Sequence, residues 1–129
     1  AFVRNPYDRF VSYCAFMSRQ DGRFAADPRA FMKQMVFDFR PTDHVLYQPQ
    51  HSFLTDVDGR LLTDYVGRVE QMQASYDSVC AQLGLQSAGL ERVNGSPRGD
   101  YREYYDSELR EGVAALYRTD RELFGYGFD

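Results

Sequence analysis

Cysteine, histidine and lysine are scarce in this chain: its 129 residues include two, two and one of them. The cysteines form no CxxC pair and no Cys/His cluster, so the spacing that holds a metal ion is missing. Cys14 falls in an apolar helical stripe with Phe10 and Val11, and Cys80 in one with Tyr76, Val79 and Leu83, which predicts two reduced core thiols rather than a disulfide. No apolar run is long enough to span a bilayer, and there are no internal repeats or low-complexity tracts. Lys33 is the single lysine; the other basic residues are arginine, whose planar fork suits phosphate and sulfate, although a GC-rich genome produces the same bias.

What is present argues for one folded domain: 43% hydrophobic and 16% aromatic residues, at a length that buries a core. The net charge of −4 is uneven, with +3 over residues 1–40 and −7 over residues 41–129. The chain opens on Ala1-Phe2-Val3 without an initiator methionine, and the expectation is a truncated domain whose upstream part is missing.

Phe2-Val3 reads as the end of a buried strand, and Asn5-Pro6 as the cap and first position of a helix reaching Met17 or Ser18, with Tyr7, Phe10, Val11, Cys14 and Met17 inward. Asp27-Pro28 repeats the cap signal ahead of a short helix carrying Ala30, Phe31, Gln34 and Met35 on one side. A brief helix is expected from Thr42 or Asp43 to Tyr47, and a turn at Asp58-Gly59 in a small hairpin. Tyr65–Val69 reads as a second strand, followed by a helix near Gln71–Leu83 with Met72, Tyr76, Val79, Cys80 and Leu83 inward and Gly84 as its stop. Residues 86–100 hold three glycines and a proline, the longest loop. A last helix is expected from Asp106 to Phe124 with Leu109, Val113, Leu116, Leu123 and Phe124 inward, and the aromatics of Gly125–Phe128 should pack back on the core.

The chemistry concentrates in Arg4-Asn5-Pro6-Tyr7-Asp8-Arg9-Phe10-Val11-Ser12. A strand-to-helix junction offers backbone amides, a favourable dipole end and a place for a bidentate arginine, here Arg4. Ser12 lies about 9 Å along the helix axis from Pro6, so an anion that touches its hydroxyl has to lie beside the first two turns rather than on the tip. Arg9, on a neighbouring face, adds charge. The plain alternative is a structural cap with a surface ion pair.

This segment resembles the 3′-phosphate-binding segment of the 3′-phosphoadenosine 5′-phosphosulfate (PAPS)-dependent sulfotransferases, in particular the carbohydrate sulfotransferases and their bacterial relatives. Tyr65–Glu70 is similar to the family's strand-then-helix segment, Leu90–Ser96 to its loop, and Tyr101–Asp106 with Leu123–Phe128 to its C-terminal helix and tail. The resemblance implies an α/β fold, the C-terminal part of a P-loop-NTPase-like sulfotransferase domain over residues 1–129, mostly helical as cut, with two short parallel strands. It implies that Arg4 and Ser12 grip the 3′-phosphate of PAPS, with Ser96 and Arg98 as further cofactor contacts. The reaction it implies is transfer of the sulfuryl group to an acceptor hydroxyl, that of an oligo- or polysaccharide, with no metal and no nucleic acid involved.

The family's loop for the 5′-phosphosulfate and its usual catalytic base lie upstream of that arginine. No Gly-rich Lys-Ser/Thr loop occurs in this chain, so the chain alone is expected to be inactive, and no residue is assigned as catalytic. His44 and His51, the two histidines, read as packed or solvated residues of an aromatic loop. Tyr101, Tyr104 and Tyr105 fit either a stacking surface or core contacts. Membrane association is implied only through an upstream segment: a Golgi membrane for eukaryotic relatives, the cytoplasm for bacterial ones. Two other readings stay open, a fragment of a P-loop-type phosphotransferase or nucleotide kinase, and a non-enzymatic helical interaction module.

Overall fold

A computed structural model of the chain describes residues 1–90 and 99–129. It is mixed α/β and predominantly helical, with two short parallel strands. The backbone groups into two compact bodies, one of residues 1–4 and 54–97, the other of residues 5–53 and 98–129.

The larger body is built around α1 (Pro6–Met17). Asn5 caps it as the sequence predicts: its side-chain oxygen accepts from Tyr7 N at 3.0 Å, and Pro6 occupies the first helical position, where a missing N–H costs nothing. Buried residues fall on most of its circumference, at Tyr7, Phe10, Val11, Tyr13 and Cys14. Met17, expected inward, is exposed, and Tyr13 is buried in addition to the expected stripe. Helices α2 (Arg23–Ala26) and α3 (Pro28–Lys33) follow, the second capped by Asp27, whose carboxylate accepts from Ala30 N at 3.2 Å. After Lys33 the chain widens into a π-helical turn, Gln34–Asp38, closed by Phe39 N on Gln34 O at 2.7 Å. That widening rotates the buried face, so Met32 and Val36 are buried with Phe31 and Met35, while Ala30 and Gln34 face outward.

The helix expected between Thr42 and Tyr47 is instead a run of turns. Tyr47 is nevertheless fully buried; its hydroxyl donates to Met35 O at 3.0 Å, and its own carbonyl accepts from the Tyr117 hydroxyl at 2.6 Å. The last helix is likewise not continuous: α5 (Ser107–Leu116) gives way at Tyr117, with φ −112° and ψ 31°, to α6 (Arg118–Phe124). Its inward residues are Leu109, Val113, Tyr117, Asp120 and Phe124, whereas Leu123 is exposed. The tail returns as expected, with the Phe128 ring edge-on to Tyr7, Tyr101 and Tyr105 at centroid distances of 5.1, 5.8 and 5.4 Å.

In the smaller body, β1 (Phe2–Val3) pairs in parallel with β2 (Gly67–Arg68), Phe2 opposite Gly67 and Val3 opposite Arg68. The second strand is thus shorter than Tyr65–Val69; Val69–Gln71 already turn into α4 (Met72–Leu83). Gly84 stops α4 at φ 69°, its N–H and that of Leu85 returning to Ala81 and Cys80 carbonyls. The Asp58-Gly59 turn forms, with Thr55 bridged antiparallel to Leu61. Of the predicted α4 stripe only Cys80 is buried, together with Ser75; Leu83 remains 66% exposed. Both cysteines are unbridged and buried.

Gly67 has a specific packing reason. A Cβ there would stand 2.7 Å from a ring carbon of Phe2 and 2.8 Å from Ser75 Cβ, so strand and helix approach too closely for any side chain. Gly67→Ala is expected to destabilise this body by about 1–3 kcal/mol. The reading is amide hydrogen exchange along Met72–Leu83, faster by about 5- to 150-fold where exchange follows opening. Unchanged exchange would show that the contact relaxes at no cost.

Candidate anion and acid-base site

Arg4 follows β1 directly and is partly buried; it belongs to the smaller body. Ser12, in the larger body, lies on the second turn of α1, also partly buried. Ser96 and Arg98 lie outside the described residues.

The surroundings of Ser12 follow from the helical repeat. With Tyr7, Phe10, Val11, Tyr13 and Cys14 committed to the core, the remaining strip of α1 runs through Asp8, Arg9, Ser12, Ala15 and Phe16, which keep partial or full exposure. The helix tip is occupied. Asn5 takes the Tyr7 N–H, and its amide nitrogen donates to the Tyr101 hydroxyl at 3.3 Å and to Gly127 O at 3.0 Å. The Tyr101 hydroxyl in turn donates to Phe128 O. An anion at this helix therefore lies along its side, as the axial position of Ser12 requires.

The three tyrosines ahead of α5 prove to be core contacts. Tyr105 stands edge-on to Tyr7 at 5.6 Å and donates to the Tyr7 carbonyl at 2.7 Å; Tyr104 packs on Phe24 at 5.5 Å. The Tyr105 hydroxyl closes a backbone carbonyl of α1 and that of Tyr101 one of the tail, and the rings supply the apolar contact.

The two histidines differ sharply. His44 Nδ1 accepts from Leu46 N at 3.2 Å, and its ring lies 5.6 Å from that of Tyr13. His51 stands in the 3₁₀ turn Gln50–Phe53, with Nδ1 2.9 Å from Asp120 Oδ1. The Asp120 carboxylate also accepts from Gln50 N and His51 N, each at 2.7 Å. Its side chain is fully buried, while that of His51 keeps 28% exposure. A buried carboxylate needs such donors to offset its lost hydration, and here one turn supplies three. The same loop is tied to α1, since Arg9 Nη1 donates to Gln48 O at 3.0 Å.

Asp120 is the buried carboxylate that pattern reading passes over, yet its signal is in the sequence. It falls on the spacing Val113, Tyr117, Asp120, Phe124, an apolar stripe interrupted by a charge. A carboxylate at a core position demands a partner, and His51 is the only ring that meets it among the described hydrogen bonds.

Among the described residues, no group of three or more His, Cys, Asp or Glu stands close enough to hold a metal ion, and no helix is long and apolar enough to cross a membrane. No protein-family profile, curated protein or solved structure matches the chain.

Proposed function

We propose that this chain is the cofactor-holding part of a sulfotransferase: Arg4 and Ser12 bind the 3′-phosphate of PAPS while its sulfuryl group passes to an acceptor hydroxyl, that of a carbohydrate. The observation that carries the reading is the junction at residues 2–12. Strand β1 ends at Val3, Arg4 follows at once, Asn5 and Pro6 start α1, and Ser12 lies on the strip of that helix not given to the core. By the same reading the fold is the C-terminal part of a P-loop-like sulfotransferase domain, and Ser96 and Arg98 are further contacts to the cofactor.

The chemistry fits the residue types. Transfer between two oxygens depends mostly on position and on neutralising charge, which an arginine fork and a hydroxyl at one phosphate supply without joining the reaction. The occupied tip of α1 leaves its flank for the phosphate, which is where Ser12 stands.

Calorimetry with adenosine 3′,5′-bisphosphate tests this. The unmodified protein is expected to bind it in preference to ATP. Arg4→Ala should weaken binding about 100-fold and Ser12→Ala about 10-fold, because a bidentate charged contact outweighs a single hydroxyl. Unchanged affinity in either variant would reject the assignment, and preference for ATP would favour a phosphotransferase.

A further inference from the structure

We infer that Asn5, with Tyr101 and the Gly127 carbonyl that hold its side chain, positions Arg4 for the 3′-phosphate of the cofactor; this deepens the sulfuryl-transfer reading and rests on it. The first ground is the residue type at position 5. Capping α1 asks only for an acceptor at Tyr7 N, and aspartate would supply one while adding a charge that the positive end of a helix favours. Asparagine brings two donors as well. Its Nδ2 uses them on Gly127 O at 3.0 Å and on the Tyr101 hydroxyl at 3.3 Å. The single hydrogen of that hydroxyl goes to Phe128 O, so it meets Asn5 only as an acceptor. A carboxylate at position 5 would face two acceptors, and a serine hydroxyl has one hydrogen for both.

The second ground is placement. Asn5 is the residue directly after Arg4 and is buried, while on the other side of Arg4 the strand residue Val3 is paired opposite Arg68. The backbone of the arginine is thus fixed through both of its neighbours. A guanidinium that has to meet two phosphate oxygens at once depends on such fixing, because the fork outperforms a point charge only while its base is held in one direction. The groups that hold Asn5 are anchored in their turn. The Phe128 ring, beside the Gly127 carbonyl, lies edge-on to Tyr7, Tyr101 and Tyr105, and the Arg110 guanidinium stands 4.3 Å from its centroid.

Capping and positioning make separable demands on this side chain. The cap uses the oxygen alone, and serine at the same place keeps it. Positioning uses the two N–H groups, so replacing them while an acceptor remains should leave α1 formed and loosen the residue that follows Arg4.

The test is calorimetric binding of adenosine 3′,5′-bisphosphate, with thermal unfolding used to confirm that each variant is folded at the temperature of measurement. Asn5→Ser is expected to weaken binding about 5- to 10-fold. Tyr101→Phe, which keeps the ring contacts and removes one acceptor, should weaken it about 2- to 5-fold, and it carries the test alone if Asn5→Ser does not fold. Added to Arg4→Ala, either substitution should cause no further loss, since its effect runs through the arginine; a general loosening of the fold would lower affinity in both backgrounds. Unchanged affinity in the single variants, or an equal further loss beside Arg4→Ala, overturns the positioning role and leaves the sulfuryl-transfer reading standing. No bisphosphate binding by the unmodified protein overturns both.

Discussion

Between pH 10 and pH 12 the larger body is expected to unfold cooperatively. Burial, then the neighbouring Cys14 and Tyr47, push the Tyr13 phenol up to about 12. Burial drives the Tyr105 and Tyr117 phenols well above the ordinary tyrosine range, although Arg9 opposes the shift at Tyr117, and it raises the Cys14 thiol as well. These groups stay protonated in the fold at a pH where the unfolded chain releases their protons. The unfolded state therefore binds fewer protons, so the stability they contribute is complete below about pH 9 to 10 and is lost as pH rises. Each such group costs about 1.4 kcal/mol per pH unit above its unfolded value. Tyr105 and Tyr117, the most enclosed of these phenols, give on the order of 5 kcal/mol over two units, a large part of the stability of a domain, and Tyr13 adds less. Phenolate absorbance and circular dichroism should then change together over this range. Phenolate absorbance that develops gradually, while helicity persists at pH 12, would show that these hydroxyls titrate within the native state.

Asp120→Ala is expected to cost the larger body about 3–5 kcal/mol. The substitution leaves the Gln50 and His51 N–H groups without their acceptor in a part-buried site, each at about 1–3 kcal/mol before relaxation, and the partly exposed His51 ring without its carboxylate at a smaller cost. It also opens a small void between α6 and the Gln50–Phe53 turn. Thermal unfolding should shift down by about 10–20 °C, given the entropy of unfolding of a chain this size. Asp120→Asn, which keeps the volume and one acceptor, should lose less. A shift of only a degree or two for Asp120→Ala would mean that water replaces the carboxylate freely.

The same residue shows where sequence reading succeeds and where it stops. Caps were legible because a single side chain decides them: Asn5, Asp27 and Asp106 each accept a backbone N–H of their own helix, and Gly84 takes the positive φ that stops α4. The hairpin at Asp58-Gly59 and the unbridged core cysteines belong to the same class. The break at Tyr117 was not legible. The Tyr117 hydroxyl there donates to the Tyr47 carbonyl, 70 residues away, a contact that no local propensity encodes. The inward stripe expected on α4 holds fully only at Cys80; Tyr76 and Val79 are half-buried and Met72 and Leu83 exposed, because periodicity does not say how deeply a face is buried. At the candidate site, the pattern of strand, Arg4, cap and Ser12 was readable from residue types alone. The His51–Asp120 pair, 69 residues apart, needed a fold to bring it together.

The clamp on Asn5 has a bearing on biosynthesis. The side chain that starts α1 is steadied by Gly127, 122 residues further along, and by Tyr101, 96 residues along. A ribosome delivers those partners only after the intervening residues have been made, so the start of α1 lacks them over that interval. Such ordering favours slow closure and gives a nascent chain a long interval in which a chaperone can engage its apolar segments.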